Sequence, residues 1–325
     1  MQKIETQGRR ERPLRTVAPL VVALFAACAP GCAPPAEAPA ERGAPKVGGG
    51  GSSAKATDTT APNKPLPPPA EMINEAKGVD TSKLSDAQRT TFFQLVNTEP
   101  SACGKPHSLA KSLKDDAECR DSLIVSQYAS DRLAAGAAVS DVKNELVSVL
   151  DSLEVKKIPV DGRPVYGNDR APVTVVVFAD FECPHCRAEA PLLRAAVQQF
   201  RGQARLIYKH FPLTMHPRAK QASIATECAH EQGKFWQMHD QVFAHQTALE
   251  DGDLEKYARE SGLDIPKYQA CYASEKFKST VEKDRADGEK LDIDGTPAVF
   301  VNGRSFNPML FGGTVEGWID DALRR

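Results

Sequence analysis

The chain carries almost no excess charge of either sign. Its 41 lysine and arginine residues are nearly balanced by 43 aspartate and glutamate residues, which gives a formal net charge of −2 at pH 7. The composition therefore gives no reason to expect a nucleic-acid partner. The 325 residues are enough for one or two domains beyond a targeting segment.

The N-terminal region lacks an apolar run long enough to span a bilayer. The stretch VAPLVVALFAAC, residues 17–28, follows a positively charged segment and is too short for a transmembrane helix. This combination predicts a signal peptide over residues 1–28. Small residues before Cys28 resemble a bacterial lipobox, which predicts lipidation of Cys28, although Phe25 stands where Leu is usual. Ordinary cleavage, for example after Ala29, is the alternative.

Residues 29–70 lack the composition needed to bury a core. Ten of the 24 prolines lie in this segment, together with GGGGSS at residues 48–53. We predict a disordered, extended linker that holds the following domains away from a membrane. Cys32 also lies here, and the sequence gives it no role.

Residues 71–155 show helical periodicity and predict a small all-helical domain. The stretch SDAQRTTFFQLVN begins with Ser85 and Gln88 at capping-box spacing. A second helix is expected over residues 117–135 and a third after Ser140. The segment contains no cluster of acids, bases or nucleophiles, so we expect a structural or partner-binding role.

The chain is rich in cysteine for a cytosolic protein but not for one in an oxidising compartment, since it has eight. Cys103 and Cys119 lie 16 positions apart and flank the first turn region of the helical domain. In an exported protein this pair predicts a disulfide that staples a unit with little core of its own.

From about residue 156 the pattern changes to alternating strands and helices. Strands are predicted over KKIPV (156–160), VTVVVFADF (173–181), ARLIYKHFP (204–212) and PAVFVNGR (297–304), the last with an Asn-Gly turn. Helices are predicted over residues 187–200, throughout 217–290 and over the C-terminal TVEGWIDDALRR. The predicted order is β-β-α-β, a helical insertion at about 213–290, then β, a short β and α. Residues 156–325 therefore read as an α/β domain.

Two cysteines, Cys183 and Cys186, are separated only by Pro184 and His185, where a buried strand gives way to a helix. This arrangement is typical of a thioredoxin-like redox motif. The helix N-terminus presents unpaired N–H groups and a partial positive charge, which stabilise a thiolate at Cys183. Cys186, one turn later, lies within reach to close or reopen a disulfide. An imidazole at His185 would stabilise the reduced form further and make the disulfide more oxidising.

The sequence resembles the DsbA-like thiol:disulfide oxidoreductases of the thioredoxin superfamily over about residues 157–325. FADFECPHC and GTPAVFVNGR carry the resemblance, and C-P-H-C matches the typical DsbA motif. Pro191 matches the proline that kinks the active-site helix. The GTP sequence matches the cis-proline loop, which implies a cis Thr296–Pro297 bond facing the cysteines.

The resemblance also covers the helical insertion, where Cys228 and Cys271 match a structural disulfide of many family members. The chain departs from the family at Val177, since thioredoxins and DsbA carry a buried acid six residues before the first cysteine. Asp180 and Glu182 are the nearby acids, but the sequence assigns no base to the second cysteine.

The resemblance implies a thioredoxin-like fold with a helical insertion and an enzyme that exchanges its Cys183–Cys186 disulfide with exported proteins. The export signal favours a dithiol oxidase in the periplasm, or on a membrane-anchored lipoprotein of a bacterial envelope. Thr296 and Pro297 belong to the predicted site, where Pro297 would keep the client chain next to Cys183. A membrane redox partner would recycle the cysteines, and no separate cofactor is expected. A disulfide reductase or isomerase is one alternative, and a tethered chaperone or binding module is another.

A metal centre is the competing interpretation of the cysteine pair. A zinc site needs about four ligands, whereas the chain has one C-x-x-C and its other cysteines are better paired with each other. We therefore expect no metal. A purely structural disulfide is disfavoured because so short a loop removes little entropy from the unfolded chain. Five histidines are expected to be surface or capping residues: His210, His216, His230, His239 and His245.

Overall fold

The computed structural model describes residues 72–325. The predicted signal peptide, the linker and the candidate lipidation site Cys28 lie outside the described residues. Across the part that is described, every helix is too short or too polar to cross a membrane.

Four of the helices within residues 72–325 precede the sheet. They are α1 (Asp86–Thr98), α2 (Leu109–Asp115), α3 (Arg120–Ala134) and α4 (Val139–Leu153). Helix α1 begins with the predicted capping box, because the Ser85 hydroxyl accepts from the Gln88 N–H and the Gln88 side chain accepts from the Ser85 N–H. Helix α2 was not predicted, and the helix expected from residue 117 begins at Arg120 instead.

The sheet has five strands in the order β1-β3-β2-β4-β5. Their bounds are β1 (Val165–Gly167), β2 (Val173–Ala179), β3 (Ala204–His210), β4 (Ala298–Val301) and β5 (Arg304–Ser305). Strands β2 and β3 are parallel, and the other pairings are antiparallel. The strand predicted at residues 156–160 is not formed, and β1 takes its place in the order.

Seven helices accompany the sheet. Helix α5 (Pro184–Gln199) connects β2 to β3, and α11 (Val315–Leu323) closes the chain. The insertion comprises α6 (Ala219–Glu231), α7 (Phe235–Ala244), α8 (Asp251–Glu260), α9 (Ile265–Ala273) and α10 (Lys278–Glu289). The region predicted as helical throughout is thus broken by turns. Gly233 and Gly262 adopt positive φ just after α6 and α8, a conformation that glycine adopts without steric cost.

Strand β2 lies at the centre of the core. Six of its seven residues are buried, which fits its run of β-branched side chains. Val175 and Val177 belong to the larger apolar cluster, whereas Val176 and Phe178 belong to a second cluster on the opposite face. The side chains of β2 therefore pack against the rest of the chain on both faces of the sheet. The strand order, with the helical insertion between β3 and β4, confirms the predicted thioredoxin-like fold.

Helices α1–α4 share one apolar cluster with the sheet domain. Polar contacts add to this packing. Arg304 in β5 pairs with Asp121 in α3 at 2.8 Å, and Asp121 also pairs with Arg325 at 2.7 Å. The Lys156 N–H donates to the Gly303 carbonyl at 2.8 Å. The domain boundary at residue 156 stays a prediction.

Candidate active site

Strand β2 ends just before the cysteine motif, and α5 begins within it. Cys183 is the N-cap of α5 with extended backbone angles, φ −74° and ψ 119°, and Pro184 occupies the first helical turn. A proline is tolerated there because the first N–H groups of a helix have no intrahelical partner. The Cys183 carbonyl accepts from the Arg187 N–H at 3.2 Å. The sequence thus places one thiol at the helix start and the other, Cys186, inside its first turn.

The two cysteines are free thiols, and both are buried: Cys183 is 4% exposed and Cys186 is 2% exposed. The Cys183 thiol donates to the Thr296 carbonyl at 3.2 Å, and the Cys186 sulfur accepts from the Asp180 N–H at 3.4 Å. Burial raises the pKa of Cys186 to about 12, against the opposing effect of the hydrogen bond from the Asp180 N–H and of the nearby Thr296 side chain. Cys186 is therefore protonated at neutral pH.

The loop before β4 lies against the thiols. The Thr296–Pro297 peptide bond is cis. Thr296 provides the carbonyl that accepts from Cys183, and Pro297 lines the same small pocket as Cys186. The structure thus brings Cys183, Cys186, Thr296 and Pro297 together.

The two residues between the cysteines, Pro184 and His185, are exposed. Over residues 72–325, no hydrogen bond joins the His185 ring to Cys183, so its effect on the thiolate stays a prediction. Pro191 lies inside α5.

Two disulfides lie away from the thiol pair. Cys103 is bonded to Cys119 with an S–S distance of 2.01 Å, and Cys228 to Cys271 with one of 1.99 Å. The first joins the loop after α1 to the start of α3, and the second joins α6 to α9. Among the residues that the structure covers, no cluster of three or more His, Cys, Asp or Glu side chains could hold a metal ion.

Asp180 organises the loop that carries Cys183. Its fully buried carboxylate accepts from the N–H groups of Glu182 and Leu213, both at 2.7 Å, and from His216 Nδ1 at 2.8 Å. Its N–H is the donor to Cys186. Asp180 therefore links the thiol loop to the segment that leads into α6. Sequence reasoning found Asp180 as a nearby acid but missed His216, because nothing local connects residues 36 positions apart.

Two other histidines contradict the expectation of surface or capping roles. His210 is 0% exposed and His239 is 2% exposed. His210 Nε2 lies 2.9 Å from a Glu227 carboxylate oxygen, and His239 Nδ1 lies 2.9 Å from Asp240. Both histidines face the core, and each has a carboxylate partner. The partner of His210 lies on another element, and the partner of His239 lies on the surface of its own helix. The position of His210 at the end of the mostly buried strand β3 was the available signal.

Residues 160–321 match the sequence model of a family described as thioredoxin. This part of the chain belongs to the thioredoxin superfamily. The prediction of a thioredoxin-superfamily member is confirmed for residues 160–321, and its DsbA-like character stays a prediction.

Curated relatives include antiporters. The chain is 38% identical over 176 residues to Na(+)/H(+) antiporter NhaA 3 of Salinispora tropica, which covers 53% of this chain and 27% of that protein. It is 35% identical over 161 residues to NhaA 1 of Mycolicibacterium gilvum, covering 49% and 25%. The chain thus spans about a quarter of the length of these relatives, and their antiporter name is not carried over to it.

Three solved structures illustrate the similarity. Oxidised BdbD of Bacillus subtilis is 24% identical, with 53% of this chain and 98% of that chain covered and a TM-score of 0.48. A thioredoxin-like oxidoreductase of Silicibacter pomeroyi is 27% identical, with 51% and 92% covered and a TM-score of 0.44. DsbA2 of Pseudomonas aeruginosa is 26% identical, with 52% and 95% covered and a TM-score of 0.41.

Proposed function

We propose that this protein is a dithiol oxidase that passes its Cys183–Cys186 disulfide to exported client proteins. The observation that carries the proposal is the unequal thiol pair at the start of α5, one thiol at the helix N-cap and the other deeper in the core. The pair itself carries the electrons, so no separate cofactor is required.

The exchange proceeds in two steps. A client thiolate attacks Cys183 Sγ, a client–Cys183 disulfide forms, and the Cys183–Cys186 bond breaks with its electron pair on Cys186. Because the pKa of Cys186 is about 12, this sulfur then takes up a proton. A second client thiolate attacks the client sulfur of the mixed disulfide, which releases Cys183 as a thiolate and leaves the client oxidised and the enzyme reduced.

Two features favour the oxidising direction. Cys183 lies at the N-terminus of α5, where the partial positive charge of the helix stabilises the reduced enzyme. Cys186 stays protonated at neutral pH and therefore does not attack a mixed disulfide readily. A stabilised reduced form makes the disulfide a stronger oxidant. A reductase or isomerase would use the same residues in the opposite direction, and the potential of the couple distinguishes the two.

The client would lie along the Thr296–Pro297 loop. Thr296 has its carbonyl next to Cys183, so a client cysteine bonded to Cys183 passes close to this loop. Pro297 has no N–H, which leaves the client backbone free to pair on either side of it. We further propose that the protein is exported, that a membrane redox partner reoxidises the pair, and that Cys28 anchors the chain if it is lipidated.

Trapping variants test this function. The oxidised protein is incubated with a reduced peptide that contains two cysteines, and peptide oxidation and mixed disulfides are followed by mass spectrometry. Wild type should oxidise the peptide. Reduced Cys186→Ala, incubated instead with the oxidised peptide, should accumulate the mixed disulfide because its Cys183 thiolate attacks the peptide disulfide and no second enzyme thiol resolves the product. Cys183→Ala should form no mixed disulfide. Peptide oxidation by Cys183→Ala at the wild-type rate would refute the assignment. Peptide binding that is unchanged in both variants, without oxidation by wild type, would instead favour the tethered chaperone or binding module.

A further inference from the structure

The pocket behind Cys186 contains no acid on β2. Val177 and Leu206 line it with apolar side chains, and Val177 occupies the position six residues before the first cysteine of the motif. Yet Cys186 must leave as a thiolate during exchange, and a buried anion is strongly disfavoured unless hydrogen bonds replace its lost solvation. The Asp180 N–H already donates to this sulfur and the Thr296 side chain also favours its anion, so a further donor would add to them. The donors that face this pocket are therefore of interest.

Tyr208 on β3 also lines this pocket and has a hydroxyl without a partner. The residue is 1% exposed, and its Oη is buried with no hydrogen bond in the structure. An unpaired buried hydroxyl is destabilising, and native structures retain few of them. Its position beside Cys186 suggests that the partner exists only during the reaction.

The ring of Tyr208 is held in place by aromatic neighbours. Phe181 stacks on it with ring centroids 5.4 Å apart and planes at 21°. Phe235 and His239 pack against it at 5.2 Å and 5.4 Å. The hydroxyl is thus positioned by packing rather than by a hydrogen bond of its own.

Two other polar side chains that line the pocket are less suited to donate. His239 Nδ1 already bonds to Asp240, and Glu189 is only half-buried, on α5. Burial, followed by the negative charge of Cys186, raises the pKa of Tyr208, so its hydroxyl keeps its proton over the working pH range. Tyr208 therefore keeps a proton to donate within the pocket that it shares with Cys186.

We propose that the Tyr208 hydroxyl donates a hydrogen bond to the Cys186 sulfur as that sulfur leaves the disulfide. This role rests on the disulfide exchange proposed above. When the Cys183–Cys186 bond breaks, the electron pair moves to Cys186 Sγ, Tyr208 keeps its proton, and solvent later supplies the proton that neutralises the thiolate.

The test replaces Tyr208 with Phe, which removes the oxygen and keeps the ring. Because the hydrogen bond is strongest to the thiolate, Tyr208→Phe should slow the reaction of the oxidised protein with reduced glutathione about tenfold. The reverse reaction should slow equally, and the equilibrium constant with glutathione should change less than about twofold. Tyr268→Phe is the matched control, since Tyr268 is also buried with an unpartnered hydroxyl but lies in α9. Its rates should equal those of wild type.

A second readout does not depend on disulfide exchange. In a Cys183→Ser background, Tyr208→Phe should lower the rate of Cys186 alkylation at about pH 10 by about tenfold, because less thiolate forms. Looser packing would raise that rate instead. Glutathione rates of Tyr208→Phe within twofold of wild type, equal slowing in Tyr268→Phe, or faster alkylation would each overturn this inference. A wild-type protein that exchanges no disulfide, with slower alkylation in the variant, would refute the proposed function and leave the proposed Tyr208–Cys186 hydrogen bond standing.

Discussion

The burial of Cys186 makes the two thiols of the motif chemically different. Its pKa is raised to about 12, so a thiolate is scarce at neutral pH. We predict that iodoacetamide labels Cys183 of the reduced protein between about pH 7 and 9, while Cys186 is labelled slowly until the pH approaches its pKa. Mass spectrometry of digests after timed labelling measures this. Labelling in denaturant is the control, and equal rates at both cysteines in the folded protein at about pH 8 would contradict it.

Asp180 has a structural role that a single substitution exposes. Asp180→Ala removes the acceptor for the N–H groups of Glu182 and Leu213 and for the His216 ring. Leaving such donors unpaired should lower the free energy of unfolding by roughly 3 kcal/mol in urea titrations. Asp161→Ala, at an exposed position, should change it by no more than about 0.5 kcal/mol. Equal effects of the two substitutions would show that the Asp180 hydrogen bonds contribute nothing measurable.

For individual residues, the sequence predicted the thiol pair well and the residues around it less well. The C-P-H-C motif and the GTP loop identify residues by local pattern, and the structure places those residues together. The partners of Asp180 and the burial of His210 and Tyr208 depend on contacts between distant elements, which a single sequence does not encode in any spacing.

Between elements, a buried ionic contact joins β3 to α6. Burial opposes ionisation of Glu227, but the hydrogen bond and charge of His210 and the charge of Arg163 hold its pKa below the ordinary 4.5. A carboxyl with a lowered pKa in the folded state stabilises the fold above about pH 4.5, and this contribution is lost as the pH falls through the folded-state pKa.

Glu227→Gln tests this dependence. The free energy of unfolding of the variant should be roughly 2 kcal/mol lower than that of wild type at pH 7, and this difference should narrow as the pH falls below about 4.5. Urea unfolding at several pH values gives both quantities. Glu231 lies on the same helix as Glu227 and forms an exposed ion pair with Lys276. The free energy of unfolding of Glu231→Gln should therefore stay within about 1 kcal/mol of that of wild type. A difference for Glu227→Gln that is constant with pH would contradict the account.

The strands and helices that the sequence predicted correctly are those with strong local signals, such as β2 and α1. The predicted strand at residues 156–160 failed for a physical reason. Ile158 and Val160 are indeed packed against the core, but Pro159 lacks an N–H and its carbonyl accepts from the Lys209 ammonium at 2.9 Å. Alternating burial here reflects packing without strand pairing. Helix α2 was missed because seven residues are marginal as a helix without the tertiary packing of Leu109 and Leu113.

For the whole of the described chain, the shared apolar core predicts joint unfolding. Helices α1–α4 and the sheet domain contribute to one cluster and are joined by the Asp121 ion pairs. Both tryptophans, Trp236 and Trp318, lie in the sheet domain, whereas circular dichroism reports on all helices. With the disulfides intact, tryptophan fluorescence and far-ultraviolet circular dichroism should give the same urea midpoint. Two separate midpoints would show that the helical segment unfolds independently.

The claim that matters most for the whole molecule is that the Cys183–Cys186 pair is an oxidant. Its equilibrium with reduced and oxidised glutathione gives the reduction potential directly, with Cys183→Ser as the control that lacks the couple. The account predicts a potential nearer the roughly −120 mV of DsbA than the roughly −270 mV of thioredoxin, because the start of α5 stabilises the reduced form. A potential near that of thioredoxin would contradict the oxidase function and assign the same residues to a reductase.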